Sequence, residues 1–249
     1  MIKYKFYATL LDGFQGYLSS SEIYQQYWGF SENPKLTEDE FEEQQFQDLI
    51  NRINRVPFES EAAEKGTAFN EMIDCIIENR QSDKYKIESI REHDTINVRN
   101  EKWEFNFPLK LSAEIAKRLS GALTQQLVSG VLPTKYGDVL LYGYLDEMLP
   151  FKVVDIKTTS KYSAFKYRDN WQHKVYPFCL NDNGILINDF EYMVTDFKKV
   201  YTEFYSYNPD RDFTLLQGFC ERFIEFLEAN REKITDTKIF ALDEIEVVV

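Results

Sequence analysis

Residues 143–176, GYLDEMLPFKVVDIKTTSKYSAFKYRDNWQHKVY, decide how the chain is read. Asp146 closes a predicted strand over Val139 to Met148, and a second strand over Lys152 to Thr158 follows the short turn at Leu149-Pro150. Alternation along the second strand turns Asp155 and Lys157 to one face. If the two strands pair, two carboxylates and an ammonium converge. Carboxylates held together repel and raise one another's pKa unless a cation lies between them. A hard ion such as Mg²⁺ or Mn²⁺ suits such an all-oxygen setting and brings water, a natural nucleophile. Lys157 could orient that water or stabilise charge building on a phosphodiester. Asp-x-Lys recurs at Asp196-Phe197-Lys198 and Asp236-Thr237-Lys238. Only the first has apolar Val153-Val154 before it, an acid ending the preceding strand, and a basic helix expected beside it.

Outward from this stretch, another strand is expected over Thr124 to Leu132, turning into Val139 around Pro133 to Asp138, which makes a three-stranded meander. Thr95 to Phe107 alternates and predicts a strand pair turning at Arg99-Asn100-Glu101, with an amphipathic helix over Ser112 to Ser120. Ser163 to Leu180 reads as helical, Phe190 to Asp196 and Val200 to Tyr207 as strands, and Phe213 to Asn230 as a last helix. On the N-terminal side, Tyr7 to Ile53 reads as helices, with Thr37 and Glu40 forming a capping box. A further helix runs from about Ala62 to Arg80. Gly66 within it is costly in a helix interior, so either the helix begins there or a neighbour approaches closely. The class is mixed α/β. Residues 1–249 are read as one domain, with 1–60 a helical N-terminal portion and 62–207 the core.

A net charge of -13 argues against a broad basic surface. Charge is uneven, however. Phe151 to Phe178 holds Lys152, Lys157, Lys161, Lys166, Arg168 and Lys174 against only Asp155 and Asp169, while acids gather in Glu38 to Asp48 and Asp243 to Glu246. A local basic groove on an acidic protein is therefore expected. Phe 20 and Tyr 16 supply a dense core and leave rings able to stack on bases. The start MIKYKFYATLLDG lacks a signal-peptide pattern and no apolar run is long enough to span a bilayer, which predicts a cytoplasmic protein with no membrane partner. Cys75, Cys179 and Cys220 are widely separated and read as buried packing residues. His93 and His173 are the only histidines and leave little material for zinc-histidine or Ser-His-Asp chemistry, and no phosphate-loop or dinucleotide glycine motif is present.

Four short patterns occur in order: Gly66-Thr67-Ala68-Phe69-Asn70, Gly143-Tyr144-Leu145-Asp146, Asp155-Ile156-Lys157 and Gln172-His173-Lys174-Val175-Tyr176. Together they resemble the RecB-like branch of the PD-(D/E)xK nucleases, whose pattern is G-x-x-x-H, G-x-x-D, (D/E)-x-K and Q-x-x-x-Y. The resemblance implies a restriction-endonuclease-like core, a central mixed sheet flanked by helices. It further implies Mg²⁺ or Mn²⁺ bound by Asp146, Asp155 and the Ile156 carbonyl, with Lys157 catalytic and Gln172 and Tyr176 holding substrate or site. Lys161, His173 and Lys174 are further candidates for phosphate contact.

Two positions depart from the pattern. Asn70 replaces the histidine, a neutral donor better matched to Mg²⁺ or Mn²⁺ than to softer metals, and Glu64 is the alternative carboxylate. Pro177 follows Tyr176 and should kink that helix. Three scattered cysteines do not provide the ligands of an iron-sulfur cluster. The expected activity is metal-dependent hydrolysis of DNA, single-stranded or at duplex ends, exonuclease-like and serving recombination, repair or phage replication in a bacterial or infected cell, with replication or recombination proteins as partners. The rival expectation is a non-catalytic DNA-binding or assembly subunit of the same fold.

Overall fold

Alternation over the first residues makes them a strand, β1 (Ile2–Tyr7), in which Tyr4 and Phe6 are buried and Lys3 is exposed. The computed structural model describes residues 1–242; the acidic run Asp243 to Glu246 lies outside the described residues. Three helices follow, α1 (Ala8–Leu18), α2 (Ser20–Trp28) and α3 (Glu38–Ile53). The capping box at Thr37 and Glu40 opens α3, as its sequence predicts. Reading residues 1–60 as helical missed β1, because IKYKFY interleaves lysines with aromatics and is only one short alternating run.

Helix α4 (Glu61–Glu78) starts with the Ser60 hydroxyl accepting from the Ala63 amide. Gly66 sits inside it, and a Cβ there would lie 3.0 Å from the Thr158 hydroxyl, so close approach and not a helix start explains the glycine. A three-stranded antiparallel sheet follows, β2 (Lys86–Ile90), β3 (Thr95–Arg99) and β4 (Glu104–Pro108), and then α5 (Leu109–Arg118). Strand β2 was not anticipated; its side chains are mostly exposed and carry little hydrophobic signal.

The larger sheet is mixed. It contains β1, β5 (Leu123–Leu132), β6 (Asp138–Leu149), β7 (Lys152–Thr158), β8 (Asp189–Thr195) and β9 (Val200–Ser206). Strands β5, β6 and β7 form the expected antiparallel meander, β7 and β8 run parallel, and β8 and β9 antiparallel. Strand β1 pairs parallel with β6 from Ile2↔Asp138 to Tyr7↔Tyr142. Helices α6 (Gln172–Asp182) and α7 (Pro209–Ala229) complete the α-helices among the described residues.

Two apolar clusters lie on the two faces of this sheet. One joins Phe6, Leu11, Ile50, Val153, Val175, Tyr192 and Phe223; the other joins Phe69, Phe107, Ile115, Val154, Ile156 and Met193. The alternation of Val153 and Val154 between them places β7 in the middle of the layers, and the fold is a mixed sheet flanked by helices. No helix among the described residues is long and apolar enough to cross a membrane.

Helix α6 is shorter than the predicted Ser163 to Leu180. Residues 163–171 form turns, with Phe165 at φ 61°, and hold Tyr162 over Tyr201 and Tyr167 over Tyr192 at centroid distances of 4.4 and 5.1 Å. Packing those rings takes precedence over the weak helical periodicity. The helix continues through Pro177, whose carbonyl accepts from the Asn181 side chain at 2.7 Å. Cys75, Cys179 and Cys220 are free and buried.

Phe6 is fully buried and meets Phe223 edge-on at 4.8 Å. Phe6→Ala should cost about 3–5 kcal/mol in urea denaturation; a loss under about 1 kcal/mol would show that β1 is peripheral to the core.

Candidate functional site

Strand β6 has β5 along one edge from Leu132↔Val139 to Leu123↔Met148. Its other edge is divided. β1 takes it up to Tyr142, and β7 takes it from Glu147↔Val154 onward. Gly143 to Asp146, the G-x-x-D residues, fall in the break and have no strand beside them on that edge. Where the ladder stops, Asp146 Oδ2 accepts the Ile156 amide at 3.0 Å, so a side chain takes over from a main-chain partner.

A cavity of about 440 Å³ opens at this break, lined among others by Asn70, Asp146, Asp155, Ile156, Lys157, Gln172 and Tyr176. Those residues come from four separate elements, α4, β6, β7 and α6. Lys157 Nζ lies 2.7 Å from Asp155 Oδ2, and Gln172 Nε2 donates to Asp155 Oδ1 at 2.9 Å. Gln172 Nε2 also lies 3.5 Å from Tyr176 Oη. Tyr176 fits because residue 143 is glycine: a Cβ there would come within 2.7 Å of its ring. The glycine of one motif thus makes room for the tyrosine of another.

Burial, and then the neighbouring Asp155, push the Asp146 carboxyl well above the usual carboxylate range; Lys157 and the Ile156 amide only partly oppose this. Burial alone would lower the Lys157 ammonium, but Asp155, Asp146 and Asp12 outweigh it and hold its pKa raised. Lys157 is therefore a fixed positive charge and not a base. Burial, reinforced by Asp155, also keeps the Tyr176 phenol protonated.

Asn70 turns its amide nitrogen to Asp146 Oδ2 at 3.3 Å and to the Ile156 carbonyl at 3.5 Å, while its oxygen is buried without a partner. A half-turn of the amide would exchange the two atoms. With that exchange, an amide oxygen, the Ile156 carbonyl and two carboxylates offer hard oxygen donors to one place. This set fits Mg²⁺ or Mn²⁺ better than a thiophilic metal, with water completing the coordination. Among the described residues, no three His, Cys, Asp or Glu side chains form a ready metal cage.

Other candidates lie elsewhere. Glu64 accepts from Tyr85 Oη at 2.6 Å and Asn100 Nδ2 at 3.3 Å, one helical face away from the cavity, and does not replace the histidine as a ligand. Lys161 is exposed and outside the cavity lining; its carbonyl serves the Thr159 hydroxyl. His173 is buried between the Tyr192 hydroxyl at 3.3 Å and Lys174 Nζ at 2.8 Å and stacks on Tyr205. An ammonium can only donate, so His173 Nε2 accepts and the ring is neutral. Burial, with Lys174 beside it, drives its pKa down to about 3. Lys174, half-buried and bound to this ring, is likewise spent on packing. Glutamine and tyrosine four apart share one face of α6, and the two residues next to the glutamine point away from it.

Sequence reasoning missed four groups near the site. Arg55 and Tyr142 line the cavity, joined by a 2.8 Å hydrogen bond, and Arg55 also pairs with Asp236 at 2.6 Å. Asp74 lines a smaller cavity of about 240 Å³ that shares Asn70 and Asp146 with the first. Its position four residues after Asn70 on α4 was the available signal. Asp12 on α1 lies within Coulombic reach of Lys157 and Asp155; its sequence suggests at most that it or Thr9 opens a helix, whereas α1 starts at Ala8 and holds both inside it.

No family model and no curated protein matches the chain. Among solved structures, the crystal structure of SSO0001 aligns with 91% of this chain and 78% of its own at a TM-score of 0.44 and 10% identity. That likeness is too low to bear on fold or activity.

Two pH-dependent outcomes follow. A carboxyl whose folded pKa is raised is a growing liability as pH rises above the ordinary carboxylate range, so Asp146→Asn should stabilise the protein in EDTA at pH 8 by about 1–3 kcal/mol, with the gain vanishing near pH 4. An unchanged melting temperature at pH 8 would contradict this. His173 has the opposite sense: its folded pKa is depressed to about 3, so the stability of the neutral ring is complete above its unfolded value of 6.5 and is lost as pH falls toward 3. His173→Phe should lose a few kcal/mol less than wild type between pH 7 and pH 4, measured by urea denaturation at each pH.

Proposed function

We propose that the chain is a metal-dependent deoxyribonuclease of the RecB-like PD-(D/E)xK kind, with a restriction-endonuclease-like core centred on the break in β6. The observation that carries this reading is the meeting of Asp146, Asp155, the Ile156 carbonyl, Lys157, Gln172 and Tyr176 around one cavity. That four loose motifs, scattered from Gly66 to Tyr176, each bring a residue to this cavity supports the reading.

Asp146, Asp155, the Ile156 carbonyl and the Asn70 amide oxygen would hold a divalent cation, which when bound would supply positive charge to a phosphodiester and lower the pKa of a water. The protein's own groups do the rest. Gln172 and Lys157 each hold one oxygen of Asp155 and fix the carboxylate's plane. The ammonium of Lys157 stays charged and faces the negative charge that builds on the phosphoryl oxygens as water adds and the sugar oxygen leaves. Tyr176, protonated, can donate but cannot take the proton of the water. DNA is the substrate of this reading, and recombination, repair or phage replication its setting.

A non-catalytic DNA-binding or assembly subunit is the second reading. It has one observation in its favour: the Asn70 nitrogen already satisfies Asp146 without a cation. Labelled single-stranded and duplex DNA, incubated with Mg²⁺, Mn²⁺ or EDTA, separates the two. The nuclease reading expects cleavage that EDTA abolishes and that Asp155→Asn or Lys157→Ala reduces at least about a hundredfold. DNA binding without hydrolysis, unchanged in Asp155→Ala, selects the second reading, and undiminished cleavage by Lys157→Ala removes the first.

A further inference from the structure

Helix α6 delivers Gln172 to Asp155, yet nothing in its own sequence caps it. Trp171 stands at its N-cap position and makes no side-chain capping bond. The first amides of a helix need acceptors, and a missing cap loosens the first turn. Here the acceptor comes from α1: Asp12 Oδ1 accepts the Trp171 amide, a partner 159 residues away in sequence. Gln15, one turn further along α1, faces the Trp171 indole N–H at 3.4 Å. The indole in turn stacks on Phe219 of α7 at 4.0 Å. The residue after this anchored one is Gln172. Helix α1 is itself held at the site, because it follows directly from β1, and Tyr7, Ala8 and Thr9 line the same cavity.

We infer that Asp12 is a positioning residue of the site, capping α6 from outside so that the Gln172 amide meets Asp155 in a fixed orientation. The inference deepens the nuclease reading and rests on it for its effect on turnover; the anchoring of α6 stands independently. Asp12 does not touch the cavity's donor oxygens and acts through Gln172. Asparagine caps helices about as well as aspartate, whereas alanine does not, so the two substitutions separate the hydrogen bond from the charge.

Amide hydrogen exchange of the metal-free protein tests the anchor without any activity. In Asp12→Ala the Trp171 amide should exchange about fivefold to thirtyfold faster, the size of a lost cap, while Asp12→Asn stays near wild type. In the nuclease assay Asp12→Ala should lower kcat about tenfold with KM within about threefold, and Asp12→Asn should restore most of it. Asp12→Ala placed on Gln172→Ala should add little further loss, because both act through one contact. Unchanged Trp171 exchange in Asp12→Ala, an Asp12→Asn as impaired as Asp12→Ala, or fully additive loss with Gln172→Ala would each overturn the inference. If Asp12→Ala does not fold, Asp12→Ser, which keeps a shorter capping oxygen, and Asp12→Asn carry the exchange measurement. A wild type that cuts no DNA overturns the nuclease reading instead, and the exchange result still decides the anchor.

Discussion

The edge of β6 is shared between two strands that do not meet, and the rest of the site follows from that. β1 runs parallel to it and stops at Tyr142; β7 runs antiparallel and starts at Glu147. A continuous ladder would have bonded every amide and carbonyl of Gly143 to Asp146 to a neighbour and closed the sheet over this point. Leaving the edge open costs main-chain hydrogen bonds, and the Asp146 carboxylate recovers one of them at Ile156. The opening admits side chains from both layers: Asn70 from α4 on one side, Gln172 and Tyr176 from α6 on the other. Architecture and chemistry therefore share the same four residues.

Electrostatics explains how a chain of net charge -13 can hold this centre. Asp146 and Asp155 are buried together, and among the described residues only Lys157 is a cation close enough to bond one of them. Burial and the neighbouring Asp155 make the charged form of Asp146 costly and raise its pKa. Such a site is poised for a positive partner. The basic segment from Lys152 to Lys174 contributes less than its composition suggests. Lys152 pairs with buried Glu191, and Lys174 is tied to His173.

Much of this was legible in sequence where the signal was periodic. The strands around Val139 to Met148 and Lys152 to Thr158, the α4 helix, and the capping box at Thr37 were all anticipated, because alternation, helical spacing and local capping act within a few residues. Gly66 also spoke in advance, since a glycine in a regular element asks what comes close; the answer, Thr158, required the fold, and the seating of Tyr176 over Gly143 came from the fold alone. Long-range partners were not legible. Glu64 looked like a spare ligand until Tyr85 and Asn100 claimed it, His173 looked like a phosphate contact until Tyr192 and Tyr205 enclosed it, and Asp12 carried no mark of a site residue. Residues 163–171 misled for a related reason: their aromatic rings pack as single turns onto β8 and β9, and helical spacing was incidental.

The pairing of β1 with β6 also orders events in time. Ile2 to Tyr7 are made well before their partner, which begins at Asp138, so this strand waits with its hydrogen-bonding groups unmatched until the elements between them have been made. Interleaved lysines at positions 3 and 5 are suited to that interval, keeping a nascent aromatic strand from pairing with others of its kind. The cavity, bounded by Tyr7 on one side and β7 on the other, can take shape only when β1 and β6 are joined.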